Sequence, residues 1–397
     1  MTRVPELRFA GFDDDWVENK LGKEFKVQMG QSPNSANYVN DAKYPPLIQG
    51  NADIENGRIK PRVFTTQITK YSYSNDILMT VRAPVGDIAI NDQEVVIGRG
   101  ICSITGSRFL YYNLEIKKLN NYWRKFSSGS TFESINSNDI KNSDIAIPYE
   151  AEQEKIGNLF KNIDQLIKNQ EALVEETTNF KKSMLQKMFP KKDSLVPELR
   201  FAGFNDEWKV FRLRDIGKTY TSISGKTKKD FGQGDARFIT YKNVYLNPIA
   251  ERYELDLVEK DEKQNQVKKG DIFFTTSSET PEEVGLSSAW LYDIDDIYLN
   301  SFCFGYRPAD DLNTYFLAYL FRNNNFRKSI IGLAQGSTRY NISKHAILDL
   351  KVKIPSLEEQ EKIGKFFKNL DEKIKKEQDL LDKYKDMKKS LLQKMFI

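Results

Sequence analysis

One histidine, His345, and two cysteines, Cys102 and Cys303, are the only imidazole and thiol groups in a chain of 397 residues. They cannot build a zinc site of ordinary ligand spacing, and two cysteines do not make a disulfide framework. No glycine pattern of a nucleophile elbow supports a triad centred on His345, which follows "NISK" as a surface or helix-start residue would. There is no G-x-x-x-x-G-K-[ST] loop and no G-x-G-x-x-G fingerprint after a strand; "GQGDARF" at 232–238 is glycine-rich without that spacing. No apolar run approaches the roughly 18 residues of a membrane span, and "MTRVPELRF" is not a secretory leader, so the cytoplasm is expected. Charge of one sign is also lacking: 60 Lys+Arg against 56 Asp+Glu leaves +4, which permits a nucleic-acid partner without demanding one. An enzyme carrying its own cofactor is therefore not expected.

What the chain does have is repetition. "VPELRFAGFDDDW" at 4–16 returns as "VPELRFAGFNDEW" at 196–208, an offset of 192 residues. "EQEKIGNLFKNIDQLIKNQE" at 152–171 returns as "EQEKIGKFFKNLDEKIKKEQ" at 359–378, and "SMLQKMF" at 183–189 as "SLLQKMF" at 390–396, both at an offset of 207. "GSTFESINSNDI" at 129–140 and "GSTRYNISKHAI" at 336–347 keep that second offset. All 15 extra residues of the second copy lie between its opening phrase and its GST motif. Each half is a length-variable, divergent block followed by a length-fixed, similar one.

The fixed blocks read as helices. With Ile156 at heptad position a, Leu159, Ile163, Leu166, Gln170, Leu173, Thr177, Phe180 and Met184 follow in 3–4 steps. In the second copy Ile363, Leu370 and Leu391 keep the seam, while Phe367 and Leu381 shift it toward position e. The residues expected to pack are Ile156, Leu159, Ile163, Leu173 and Phe180 in one helix and Ile363, Phe367, Leu370, Leu381 and Leu391 in the other. Pro148 and Pro355 precede the helices and Pro190 ends the first. At ~1.5 Å per residue, about 36 residues span about 55 Å, and a helix this long with one apolar side needs a partner.

The variable blocks hold short β-branched and aromatic runs, among them "DILMTV" (76–81), "DIAI" (87–90), "EVVIG" (94–98), "GICSIT" (100–105), "DIFFTT" (271–276), "AWLYDI" (289–294) and "NSFCFGYR" (300–307). Each also has a helix, near 110–126 and 312–333. The expected fold class is α+β: two globular domains separated by two long antiparallel helices, with a pseudo-two-fold internal repeat. The divisions fall at 1–150, 151–190, 191–357 and 358–397, and Cys102 and Cys303 sit on corresponding strands as small buried residues. Since "VPELRFAGF" is the phrase that would come after the second helix if the pattern continued, the two ends of the chain are expected within about 30 Å, the reach of a ~10-residue linker. Leu7, Phe9, Phe12 and Trp16, with Leu199, Phe201, Phe204 and Trp208, look like apolar anchors seating each domain on the helices.

"PELRFAGFxxxW", the "GST…I" pair, "IPxxxEQEKIG" and "QKMF", doubled and in fixed order over essentially the whole chain, resemble the specificity subunit of type I restriction–modification enzymes. The resemblance implies two target recognition domains, each reading one half of a bipartite, asymmetric site in double-stranded DNA. It implies a coiled-coil spacer that docks two modification subunits, which bind S-adenosylmethionine and methylate adenine. Two further restriction subunits would add cleavage driven by ATP with Mg. This chain would hold no cofactor, metal or catalytic residue; "AIPYEA" at 146–151 lacks the Asn and second Pro of an adenine-methyltransferase motif.

Sequence readout needs polar and basic side chains on loops. The first domain offers Gln31, Ser32, Asn34, Ser35, Asn51, Arg58, Lys60, Arg62, Arg82 and Arg99. The second offers Ser224, Lys226, Thr227, Lys228, Lys242, Asn243, Ser277, Ser278, Arg339, Tyr340 and Lys344. The doubled GST loops suit a phosphate contact or a turn equally. The competing reading is a coiled-coil scaffold with two protein- or carbohydrate-binding domains. If the helices are a ruler matched to the DNA repeat, inserting about four residues into one of them changes the gap between half-sites. Mapping of methylated sites reads this out, and an unchanged gap removes the ruler.

Overall fold

The computed structural model describes residues 4–126 and 134–397. The chain forms two compact units, one made of residues up to Glu171 together with Asp379–Ile397, the other of Ala172–Gln378. The divisions fall inside the two long helices rather than at their starts. Four helices matter below: α1 (Arg108–Leu119), α2 (Glu150–Lys187), α3 (Thr314–Leu320) and α4 (Leu357–Met395).

In the first unit a six-stranded sheet is built around Ile77–Thr80, a run whose side chains are buried on both faces. Alternation sends Ile77 and Met79 toward α1 and Leu78 toward a second, five-stranded sheet. In that sheet Pro46–Ile48 runs parallel to Val95–Ile97 and antiparallel to Val63–Thr65. The second unit repeats the plan with a four-stranded sheet around Ile272–Thr275 and a three-stranded one around Phe231–Ile239. The expected strands at 76–81, 87–90, 94–98, 100–105, 271–276 and 300–307 are present within a residue or three of their ends. "AWLYDI" is not a strand of its own: the strand is Ser287–Ala289, and Trp290, a buried core residue, ends it with backbone bonds to Asp271 and Gly270. The segment 312–333 forms two helices, α3 and Asn324–Ile331, because the Asn323 side chain accepts from Asn325 N and Phe326 N and starts a new helix.

Cys102 and Cys303 do lie on corresponding strands, but one register position apart. Cys102 opposes Met79 and faces the helices; Cys303 opposes Thr275, level with Ile101, and faces the outer sheet. Burial pushes both thiols up to about 12, so neither is a nucleophile at neutral pH.

In each unit the long helices run in opposite directions. Lys388 pairs with Asp164 and Lys385 with Glu171 in the first unit; Lys181 pairs with Asp371 in the second. The buried stripe is not the a/d seam. Leu166, Leu173 and Phe180 are exposed by 46%, 39% and 47%, while Gln170 and Thr177 at position a are buried. The reason is the domain itself. It packs α1 against α2 beside the e positions, with Tyr112 on Phe160 at 5.0 Å, so each long helix has two neighbours and its apolar face turns toward both. Leu173 therefore lies outside the seam in which it was expected, while Phe180, half-exposed, still meets Phe366 of α4 edge-on at 6.4 Å. Ile156, Ile163, Ile363, Phe367 and Leu381 are buried in it, with Leu159, Leu370 and Leu391 partly so. Gly157 and Gly364 allow the close approach: a Cβ at Gly364 would stand 2.9 Å from the Phe316 N of α3 and one at Gly157 3.0 Å from Arg108 Cβ.

The repeated opening phrase is a joint. Arg8 donates from Nε and Nη2 to the two oxygens of Glu152 at 2.7 and 2.8 Å; Arg200 does the same to Glu359 at 2.7 and 2.7 Å. Trp16 packs its ring on Phe109 and Phe396, and Trp208 on Phe316 and Phe189. Leu7 N–H donates to Lys394 O and Leu199 N–H to Lys187 O, each at 2.9 Å. The two ends of the chain thus meet in the first unit through the same bond that the covalent linker carries in the second. Leu7 and Leu199 serve through their backbones: their side chains are 42% and 44% exposed, so they are not apolar anchors. Phe12 and Phe204 are half-buried under the ammonium groups of Lys155 and Lys362.

Glu152 is fully buried, so Arg8→Ala leaves an unpaired carboxylate and is expected to cost about 3 kcal/mol. The urea unfolding midpoint measures it, and Arg8→Ala/Glu152→Ala should cost clearly less than the two single changes added together.

Candidate nucleic-acid interface

At the end of the first unit's sheets, loops enclose a concavity of about 470 Å³. Ser32, Asn51, Arg62, Arg82 and Arg99 line it together with Gln49, Asp53 and Gly100. Three loops from distant parts of the sequence thus bring three guanidinium groups to one place. Arg99 is held out by a backbone crossing: Ser32 Oγ accepts Arg99 N–H at 3.0 Å, and a Cβ at Gly100 would stand 2.1 Å from Gln49 O. Arg82 follows the buried strand Ile77–Thr80 and bridges to Ser134. Neither Arg82 nor Arg99 makes a side-chain hydrogen bond or ion pair among the described residues, and both are exposed. Arg62 differs: its Nε donates to Asp53 Oδ1 at 2.8 Å, and Asp53, 2% exposed, also accepts Gln49 N–H at 2.8 Å.

The other first-domain candidates stand outside the concavity. Asn34 caps the short turn Ser35–Asn37, Gln31 is exposed beside it, Lys60 pairs with Glu55, and Arg58 is exposed on its strand. Gln49, Asp53 and Gly100 were not singled out in the sequence. The acidic pair Asp53 and Glu55 in the polar stretch "QGNADIENGRIKPR" is the one signal there, and it does not separate the buried Asp53 from the exposed Glu55.

The second unit presents a different surface at the same end. Tyr241 donates its hydroxyl to Ser277 O at 2.9 Å, Arg339 and Lys242 are exposed, and Phe302 is an exposed aromatic at 58%. Two buried arginines hold these loops. Arg322 donates to the carbonyls of Val244, Tyr245, Asn247 and Ser287, and Arg327 to those of Glu282, Val284 and Gly285. Burial pulls both guanidinium groups down to about 10. Ser224 is exposed and bonded through its backbone to Gln264, Thr227 caps a turn onto Asp230, Lys226 pairs with Asp261, and Lys228 is exposed. Gly336–Arg339 is the tip of a hairpin closed by Gln335 and Asn341, with Tyr340 packed on the core behind it and Lys344 opening the next helix. The first GST copy lies outside the described residues, but the strand-like bond just beyond each copy is doubled: Ile135 N–H donates to Val81 O and Ile342 N–H to Thr276 O, each at 3.0 Å.

Two candidates are turned inward. Asn243 is fully buried; its amide donates to Glu251 O and Glu254 O, and its Oδ1 accepts Glu251 N–H. Ser278 is 8% exposed and donates to Glu283. They hold loops and do not face a ligand. His345 is exposed at a helix start whose cap is Ser343. Among the described residues no group of three or more His, Cys, Asp or Glu could hold a metal ion, and no helix is long and apolar enough to cross a membrane.

The sequence profile of the type I restriction modification DNA specificity domain matches residues 13–176 and 205–383. Over 181 residues the chain is 34% identical to a protein of Methanocaldococcus jannaschii provisionally named the type I restriction enzyme MjaX specificity subunit, covering 43% of this chain and 42% of that one. Over 223 residues it is 27% identical to the MjaIX specificity subunit of the same organism, covering 52% and 51%. The matched stretches thus span about half the length of these relatives. The crystal structure of a type I restriction–modification S subunit from M. genitalium aligns over 99% of both chains with a TM-score of 0.64 at 16% identity, which establishes a shared fold. A chain from a structural study of type I complex assembly aligns over 97% of this chain and 98% of that one with a TM-score of 0.57, also at 16%.

The buried Asn243 amide predicts a stability effect. Asn243→Ala strips partners from two carbonyls and one N–H, an expected loss of about 2 kcal/mol. Thermal unfolding measures it, and an unchanged midpoint would remove Asn243 from the loop scaffold.

Proposed function

The chain belongs to the type I restriction–modification DNA specificity family, and from that premise we propose that it is the DNA sequence-recognition subunit of such a complex. Each unit reads one half of a bipartite, asymmetric site in double-stranded DNA. One observation carries this reading. The joint that seats each unit on the long helices is duplicated contact for contact, while the loop ends of the sheets differ. Two readers held in equivalent positions but facing different sequences need that division.

The helices α2 and α4 set the half-site spacing and dock two modification subunits. The exposed rows Leu166, Leu173 and Phe180 on α2, and Leu380 and Met387 on α4, suit protein contact. S-adenosylmethionine belongs to the modification subunits, and ATP with Mg to two restriction subunits where these are present. This chain supplies sequence choice, performs no chemical step and works in the cytoplasm. The exposed guanidinium groups of Arg82 and Arg99 neutralise phosphates. The scaffold alternative gains nothing from a concavity walled by three arginines.

The test is binding of duplex DNA by the chain assembled with its modification subunit, followed across a salt series. Arg82→Ala and Arg99→Ala should each weaken binding to target and unrelated duplexes alike and reduce the salt slope by about one. Unchanged slopes would show that these arginines do not touch the backbone. Failure of the intact assembly to bind any DNA would overturn the proposed function itself.

A further inference from the structure

The concavity of the first unit contains a charge pair that has no counterpart in the second. In the first unit Leu47 lies beside Val96 in parallel and opposite Val63; in the second, Phe238 lies beside Tyr298 in parallel and opposite Asp256. Counting from these matched strand pairs, Arg62 falls level with Leu255 and Asp53 level with Val244. Leu255 and Val244 pack in the apolar cluster of the outer sheet. The second unit therefore has apolar residues at these two positions and ties the turn with the neighbouring Asn243 amide, where the first unit has a buried carboxylate holding an arginine. The Arg62 side chain is largely exposed, so its bond to Asp53 adds little to folding by itself, and the orientation it gives the guanidinium is the more consequential result.

The geometry of the pair sets this orientation. Asp53 is fixed by Gln49 N–H and takes only the Nε of Arg62. The Arg62 side chain is 60% exposed, and its two terminal nitrogens have no partner among the described residues. An arginine clamped at Nε presents its Nη1–Nη2 fork in one orientation, and that fork matches the O6 and N7 acceptors of guanine in the major groove. A phosphate contact needs no such clamp, and the unclamped Arg82 and Arg99 stand ready for it. We propose that Arg62, oriented by the buried Asp53, reads a guanine in the half-site faced by the first unit, and that the second unit reads its half without a counterpart of this contact. The basic wall is equally one-sided. The position of Arg82, bridged to Ser134, is taken by Ser277, paired with Asn341, and that of Arg99 by Ser301.

The assignment rests on the DNA-recognition reading, and the experiment separates the two. The full chain is expressed with its modification subunit, and methylated adenines are mapped across a genome for the unchanged chain, for Arg62→Ala and for Asp53→Val/Arg62→Leu. The double variant places the second unit's residues at these two positions and removes the unpaired carboxylate that could unfold the single one. The unchanged chain should give a bipartite motif with a fixed G·C pair in one half. Both variants should lose discrimination at that one pair by about tenfold or more and keep the remaining bases of both halves. The assignment is overturned if the motif has no fixed G·C pair, if both variants keep the full motif, if the relaxed pair is A·T, or if methylation falls equally at all sites as for a lost phosphate contact. No sequence-specific methylation by the unchanged chain would overturn both the assignment and the reading beneath it.

Discussion

A guanidinium fork closed on a buried carboxylate fixes where each unit meets its helices. Arg8 grips Glu152 and Arg200 grips Glu359 through two parallel bonds, a geometry with one solution. Both carboxylates are shut off from solvent, Glu152 at 0% and Glu359 at 1% exposed. That strengthens the pair and makes any other seating costly, because a carboxylate left alone there has nothing to replace its hydration. A second tie repeats beside it. Tyr112 donates to Asp164 and Tyr319 to Asp371, each at 2.7 Å, and Lys388 and Lys181 come from the other long helix to the same carboxylates. For Lys388, burial alone would favour the neutral amine, but Glu115 and Asp164 outweigh it and hold its pKa above the usual lysine value.

With the seat fixed, the opposite ends of the sheets are free to diverge. The strands have two chemically separate faces. The inner one meets α1 or α3, and the outer one meets the sheet that carries the loops. The cysteines show the separation: on matched strands, Cys102 belongs to the inner face and Cys303 to the outer. The inner face must keep matching the helices, whereas the outer can exchange a charge pair for Val244 and Leu255 without disturbing the joint.

Repetition was the most legible property of the sequence. Identical residues at two offsets mark both joints and both long helices, while most of the strands show as short β-branched and aromatic runs between them. Features that depend on a third neighbour were harder to read. The heptad rule assumes one partner helix; here the domain is a second, so burial moves to Gln170 and Thr177 and away from Leu173 and Phe180. Leu7 has an anchor's side chain and contributes its N–H. In the reading loops, residue type alone could not separate Asn243, whose amide is consumed by the backbone, from Asn51, which lines the concavity. Nor could it pair Asp53 with Arg62, since that contact exists only after the hairpin Ile54–Glu55/Arg58–Ile59 turns the chain back on itself.

Phe396 stacks on Phe109 at 5.2 Å and contacts Trp16 and Phe160, deep in the core that also holds the start of the chain. That places a temporal constraint on the molecule. The domain whose sheets are translated first cannot complete its hydrophobic interior until residue 396 has been synthesised. The second unit needs α4 only as far as Ile363, Phe367 and Leu370, so the last of its core residues are synthesised before Phe396. The apolar seat of the first reader around Trp16 therefore stays open throughout translation of the second half.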